Sequence, residues 1–280
     1  MEQAAAAGVE VTLAVGASLF DERFGLAEHR PPRLTAMPRF PNDVIDPERC
    51  HGDLLLQICG SGHDRVAAVA DDLVRAGGAG LRTRWRMAGF RAESGTTVSG
   101  LPTARNLFGF REGAGNPDPA DAELMDRLVW TDEGGTYQVV RLIRFATALW
   151  DREPVPRQES AIGRRRQDGT PLQGGAEDVT FDYSADPNGD VVPLDAHIRR
   201  ANPRTPETEN SRILRRSYSY RNGDDEGMLF ICFQRDPERG FAAAQHRLAG
   251  EALDRYVLPF GGGYFFVPES PAALGGLLGA

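Results

Sequence analysis

Three polar residues, far apart in the chain, have the types that redox chemistry on a peroxide requires. His197 lies in Asp195-Ala196-His197-Ile198-Arg199-Arg200-Ala201-Asn202-Pro203, between a loop rich in Asp and Pro and a short basic turn. Arg215 follows eighteen residues later, within Arg212 to Tyr220, a stretch that alternates like a strand. Glu112 sits far upstream in a glycine-punctuated loop, Asn106 to Pro117. A neutral imidazole is a natural axial ligand for haem iron and leaves the opposite face open. A carboxylate held above the iron can take a proton from one peroxide oxygen and return it to the other. A fixed guanidinium beside it stabilises charge on the departing oxygen. Gly109, Gly113 and Gly115 would let the backbone approach a porphyrin closely. Taken singly, each residue has a blander reading: His197 as a surface imidazole, Glu112 as a solvated loop acid, Arg215 as an exposed strand residue.

Composition narrows the setting. The chain has 280 residues, 41% of them hydrophobic, enough for one large domain or two modest ones. The formal net charge of −8 disfavours a nucleic-acid binder, since phosphate rewards clustered positive charge. All 32 basic residues are arginine, which excludes Schiff-base and phosphate-loop chemistry that needs a lysine. Arginine is always charged and bidentate, suited to carboxylates such as haem propionates. Cys50, Cys59 and Cys232 show no CxxC pairing and no zinc-ligand spacing, and their odd number points to a reducing compartment. No hydrophobic run approaches the roughly 20 residues of a membrane span. Met1-Glu2-Gln3-Ala4 lacks the basic start of a signal peptide, so the chain as written is expected in the cytoplasm.

The elements that must position these residues follow from periodicity. Val9 to Val15 alternates and reads as a strand, followed by a proline-studded connection from Phe20 to Arg49. A connection of that length is functional or wraps a neighbour. Asp53 to Cys59 reads as a buried strand, Ser61 to Arg75 as an amphipathic helix, and Leu81 to Met87 as a strand. Thr136 to Phe145 is predicted as a strand and Arg152 to Gly163 as a helix beyond its prolines. Ile213 to Tyr220 and Met228 to Gln234 are predicted strands, Pro237 to Arg247 a helix, and Gly263 to Val267 a closing strand. The second half is thus βαββαβ, a ferredoxin-like unit, and the first half reads ββαβ, the same unit without its opening strand and helix. The expected fold is α+β: two ferredoxin-like modules, 1–130 and 131–280, with antiparallel sheets and helices around a haem pocket. The cluster Gly261-Gly262-Gly263 precedes a strand rather than a helix, so it is no dinucleotide fingerprint.

With these residues on the page, the chain resembles the dye-decolourising peroxidases, a haem family of two ferredoxin-like halves in the dimeric α/β-barrel-like superfamily. It is most similar to the bacterial subgroup often exported by the twin-arginine route, which includes deferrochelatase-like members. The resemblance runs from Val9 to Pro268. It rests on Leu19 to Leu26, Asn106 to Pro117, Gly134 to Tyr137, Gln158 to Arg164, His197 to Pro203 and Arg212 to Tyr220. It implies haem b held by His197 as the proximal iron ligand, Arg215 as the distal arginine and Glu112 as the distal acid. It further implies Gly113 against the haem, Arg164 paired with a propionate, and Asp254 accepting the hydrogen bond of the proximal imidazole. For Arg164 and Asp254 an ordinary ion pair is the alternative. The implied activity is reduction of hydrogen peroxide with oxidation of a bulky aromatic, phenolic or dye-like donor. Tyr218, Tyr220, Trp130 and Trp150 are candidate electron relays, or else core.

Two departures stand out. The family loop is GxxDG, whereas Gly109-Phe110-Arg111-Glu112-Gly113 carries glutamate, longer by one methylene. Misplacement of ~1 Å costs about a hundredfold in rate. The second departure is the strand and helix that precede Val9 in the family. Without them a sheet edge lies open, to be explained by a different start, by a fragment, or by another subunit of a homo-oligomer. A start further upstream would restore an export signal. Two further readings stay open: a haem-handling protein with little turnover, and a biosynthetic haem oxidase on the same scaffold.

Overall fold

The strand expected at Thr136 to Phe145 becomes an inner strand of a seven-stranded sheet. The computed structural model describes residues 8–98, 101–176 and 181–278, and the start read for an export signal, Met1 to Ala4, lies outside them. In chain order the strands are β1 (Val9–Gly16), β2 (Leu54–Gly60), β3 (Ala92–Val98), β4 (Leu101–Arg105), β5 (Thr136–Phe145), β6 (Leu214–Arg215), β7 (Tyr218–Asn222), β8 (Asp225–Gln234) and β9 (Val257–Val267). The main sheet runs β2-β1-β9-β5-β8-β6, with β7 also on β8, and every pairing in it is antiparallel. The helices used below are α1 (His63–Ala76), α2 (Ala122–Leu128), α3 (Val155–Ile162), α4 (His197–Ala201) and α5 (Ala243–Leu248).

The second half has the expected βαββαβ order, and its strands lie β9-β5-β8 with β6 and β7 outermost. The first half joins this sheet where Val15 and Gly16 of β1 pair with Phe266 and Phe265 of β9. The fold is therefore α+β, with one antiparallel sheet shared by both halves. Side-chain alternation gives that sheet two apolar faces. Tyr137, Val139, Cys232, Tyr264 and Phe266 pack on one side. Val140, Leu142, Ile231 and Phe265 pack on the other.

The proline-studded connection wraps the first of these faces, placing Leu34, Met37 and Phe40 in its core. Asp43 of that connection meets Arg141 of β5 in an ion pair in which each side chain is 1% exposed. The Arg141 guanidinium also lies 5.4 Å from the Phe40 ring centroid, a cation–π contact.

Several boundaries differ from expectation. Leu81 to Met87 is not a strand: Arg84 Nε donates to the Cys50 carbonyl at 2.7 Å and Trp85 Nε1 to the His51 carbonyl at 2.9 Å. The segment is fixed by its side chains instead of by a backbone ladder, which periodicity does not reveal. The β3–β4 hairpin, which apolar patterning does not announce, follows it. Ile213 to Tyr220 divides into β6 and β7 around Arg216 and Ser217. The Pro237 to Arg247 helix opens as a π-turn, Glu238–Ala242, before α5.

Because the Asp43–Arg141 pair is desolvated, losing one partner strands a buried charge. Asp43→Ala should cost about 3–5 kcal/mol in urea unfolding, and the double Asp43→Leu/Arg141→Met variant distinctly less.

Candidate functional site

His197 opens the short helix α4, and the completely buried Ala196 before it fixes the entry of the chain. Its Nδ1 lies 2.6 Å from the Glu251 carboxylate, which is 9% exposed and comes from the loop after α5. Nδ1–H donating to Glu251 leaves the Nε2 lone pair free to bind a metal. Burial pulls the His197 pKa down, but the charge and hydrogen bond of Glu251 outweigh it, and the net direction is upward. A main-chain bond from Ala252 N–H to the Asp195 carbonyl, 3.1 Å, locks the two loops together.

This corrects the expectation for Asp254. Its carboxylate accepts the Gly250 N–H at 2.7 Å, closing its own turn, and does not meet the imidazole. Asp254 still borders the same cavity. Both acids lie in one loop, so only the direction each takes out of the turn decides which reaches His197.

Asn106 builds the loop that carries Glu112. Its Oδ1 accepts the N–H groups of Phe108 and Phe110, each at 3.1 Å, and its amide lowers the pKa of the nearby Glu112 carboxyl. Glu112 N–H donates to the Ala104 carbonyl at 2.8 Å. Gly113 and Gly115 hold φ of +99° and +77°, the region that excludes most side chains. A Cβ on Gly115 would also come within 3.3 Å of the Arg204 guanidinium. Burial raises the Glu112 pKa, and Arg215, Asn106 and Arg91 offset it only in part.

Arg215 is clamped by the end of the same loop. Its backbone N–H and its Nε both donate to Asn116 Oδ1 at 3.1 Å, and Nη2 donates to the Ala114 carbonyl at 2.9 Å. Asn116 Nδ2 returns a bond to the Arg215 carbonyl at 3.0 Å. Burial lowers the Arg215 pKa and Glu112 opposes that.

Glu112, Gly113, Arg164, His197, Arg215, Glu251 and Asp254 all border one cavity of about 340 Å³. Its apolar wall includes Phe108, Phe145, Met228, Phe230 and Leu253. Nine arginines face three carboxylates around it, so it favours an anionic occupant. Arg164 is 6% exposed, donates to the Gly169 carbonyl at 2.7 Å and stands over the Phe181 ring. Among the described residues, the buried Nε atoms of Arg204 and Arg212 have no acceptor. Arg204 also holds φ +60°, a left-handed conformation rare outside glycine. An anionic group in the cavity would supply those acceptors. The donor set therefore fits haem: a free imidazole nitrogen, an apolar wall, and arginines for two carboxylates. Glu251 and Arg204 carry no sequence signal of their own, and Asn106 and Asn116 lie in the motif Asn106 to Pro117 without a role that spacing assigns.

The aromatic relay candidates divide. Trp150 is fully buried among Phe108, Phe110 and Tyr256, with ring centroids 4.6 Å, 6.2 Å and 5.0 Å away. Tyr220 is buried and donates to Asp225, Tyr218 contacts the Cys59 thiol, and Trp130 is exposed.

Comparison with known proteins gives a consistent result. The N-terminal model of the Dyp-type peroxidases matches residues 1–91 and the C-terminal model matches residues 103–272. Deferrochelatase of Escherichia coli K12 is 47% identical over 271 residues, covering 91% of this chain and 64% of the relative. The chain thus spans less than two thirds of the length of the curated relatives it matches. Ferric DtpA from Streptomyces lividans superposes with a TM-score of 0.83 at 37% identity, covering 93% of this chain and 74% of that one. The DyP-type peroxidase from Cellulomonas bogoriensis gives 0.83 at 34% identity, covering 94% and 76%.

Without the Glu251 carboxylate, burial and Arg215 alone act on His197, and both lower its pKa. In protein free of ligand, Glu251→Gln should move the His197 NMR titration from above the ordinary 6.5 to below it, whereas Asp254→Asn leaves it high. A histidine pKa raised by folding contributes stability that is full below the unfolded value and fades as pH rises through the folded one. The stability lost in Glu251→Gln should accordingly be greatest on the acid side.

Proposed function

This chain belongs to the Dyp-type peroxidase family, and we propose that it is a haem-b peroxidase that reduces hydrogen peroxide and oxidises a bulky aromatic donor. The observation that carries this reading is the meeting of His197–Glu251 and Glu112–Arg215 on one cavity. His197 Nε2 would hold the iron, Arg204 and Arg212 would donate to the propionates, and Arg164 would stand beside them. When bound, haem would supply the electrons for O–O cleavage and the oxidising power drawn on by the donor.

The protein's own part is proton movement and charge placement. Glu251 keeps the Nδ1 proton of His197 in place and makes the imidazole a stronger donor through Nε2. Glu112, ionised, takes the proton from the inner oxygen of hydrogen peroxide and passes it to the outer oxygen, which leaves as water. Arg215 faces that oxygen while its charge is incomplete, at no reorganisation cost because Asn116 and Ala114 already hold it. Support comes from the family itself, from the deferrochelatase and DyP-type relatives, and from the unmatched arginines of the cavity.

Glu112 must be ionised to act as a base, and its pKa lies above the ordinary carboxylate value. Peroxide reactivity should therefore fall on the acid side through a raised pKa, seen by stopped-flow absorbance of haem-loaded protein. Arg215→Leu removes a charge that lowers that pKa, so its acid limb should move to higher pH. Glu112→Gln should slow the peroxide reaction by about 10²–10⁴-fold. A haem-loaded protein whose spectrum is untouched by peroxide at any pH would instead favour haem handling. Unchanged reactivity in Glu112→Gln would remove Glu112 as the proton carrier.

A further inference from the structure

A second cavity, of about 320 Å³, lies beside the first and is bordered by the end of α2, by residues ahead of β6 and by the π-turn that opens α5. Its lining holds four arginines, Arg127, Arg212, Arg235 and Arg239, against a single acid, Asp236. The charges around it are only partly matched. Arg235 pairs with Asp132, Arg212 reaches Glu209 at 3.6 Å, and Asp236 is engaged by Arg33 at 2.7 Å. Among the described residues, Arg127 and Arg239, both exposed, have no carboxylate partner. Asn210 and Gln234 line the same recess with neutral amides.

This arrangement runs against the chain as a whole, whose net charge is −8. Unpaired guanidiniums gathered around a concavity focus positive potential where the low-dielectric wall limits screening. Guanidinium donors without acceptors favour planar or tetrahedral oxyanions that take two or more charge-assisted hydrogen bonds. We propose that this recess is a binding site for a small multivalent oxyanion, a polycarboxylate or a phosphate, distinct from the cavity of His197. Arg212 borders both cavities, so Arg127 and Arg239, which border only the recess, are the residues that define it.

The test is isothermal titration of haem-loaded protein at low ionic strength with tricarballylate and, separately, with inorganic phosphate. One-site binding of either anion is expected. Each of Arg127→Gln and Arg239→Gln should weaken it about tenfold, the scale of one charge-assisted hydrogen bond lost, and the double variant should lose it. Lysine at both positions should retain most of the binding, while the haem absorption spectrum stays that of the wild type in every variant. Binding of tricarballylate alone identifies a polycarboxylate source, and binding of phosphate alone a phosphate source. No heat with either anion overturns the proposal. So does binding that survives in the double glutamine variant, since the anion would then occupy the larger cavity.

Discussion

A guanidinium withdrawn from water keeps five N–H donors to satisfy and a charge that cannot be discharged by losing a proton. Arg215, half-buried on the cavity wall, shares that demand in part, and the conformation of the loop from Asn106 to Pro117 answers it. Asn116 exchanges hydrogen bonds with the Arg215 main chain in both directions, as a neighbouring strand would, and also takes the side-chain Nε. The β6 strand is only two residues long and lies at the outer end of the sheet, so its free side is open to this mimicry. Docking the loop there carries Glu112, Gly113 and Gly115 to the cavity together. The distal half of the site is thus the consequence of one half-buried cation on one short edge strand.

The proximal half obeys a related constraint with opposite sign. Burial lowers the proton affinity of His197, and the guanidinium of Arg215 acts the same way. A carboxylate at 2.6 Å is what reverses this, and it fixes which ring nitrogen is free. The surrounding excess of arginine then has a physical reason. A cavity lined by nine arginines and three carboxylates carries a positive potential, even with Arg141 held by Asp43, that an anion would offset. The unmatched Nε atoms of Arg204 and Arg212 mark where completion is missing.

How much of this the sequence discloses depends on whether a signal is periodic or conformational. The strands of the second half and their βαββαβ order were legible because burial gives long apolar runs such as Met228 to Phe233. The extended run from Leu81 to Met87 looked the same, yet its anchors are side-chain bonds from Arg84 and Trp85, to which alternation is blind. His197, Glu112 and Arg215 were legible by type and motif. The partner of His197 was not: Glu251 and Asp254 are three residues apart, and both are acids. Asp254 turns back to its own Gly250 N–H, while Glu251 reaches across to the imidazole. That choice belongs to the turn after α5, and no spacing rule records it.

Glutamate in place of the family's aspartate is the remaining question of geometry, and the loop bears on it directly. An extra methylene adds a rotatable bond, which in solvent would blur the position of the carboxylate. Here the Glu112 main chain is tied to Ala104 at 2.8 Å, and the Asn106 amide acts on the carboxyl to lower its pKa. Asn106 is in turn held by the N–H groups of Phe108 and Phe110, so its amide has little freedom to follow a wandering acid. Phe108 is 1% exposed and stacks on Phe145 at 4.0 Å, which seats the loop in the core. The longer side chain is therefore anchored at its main-chain end, with the Asn106 amide fixed beside it. The same burial that restrains it raises its pKa, so the one substitution sets both where the proton carrier stands and the pH at which it is ready to accept.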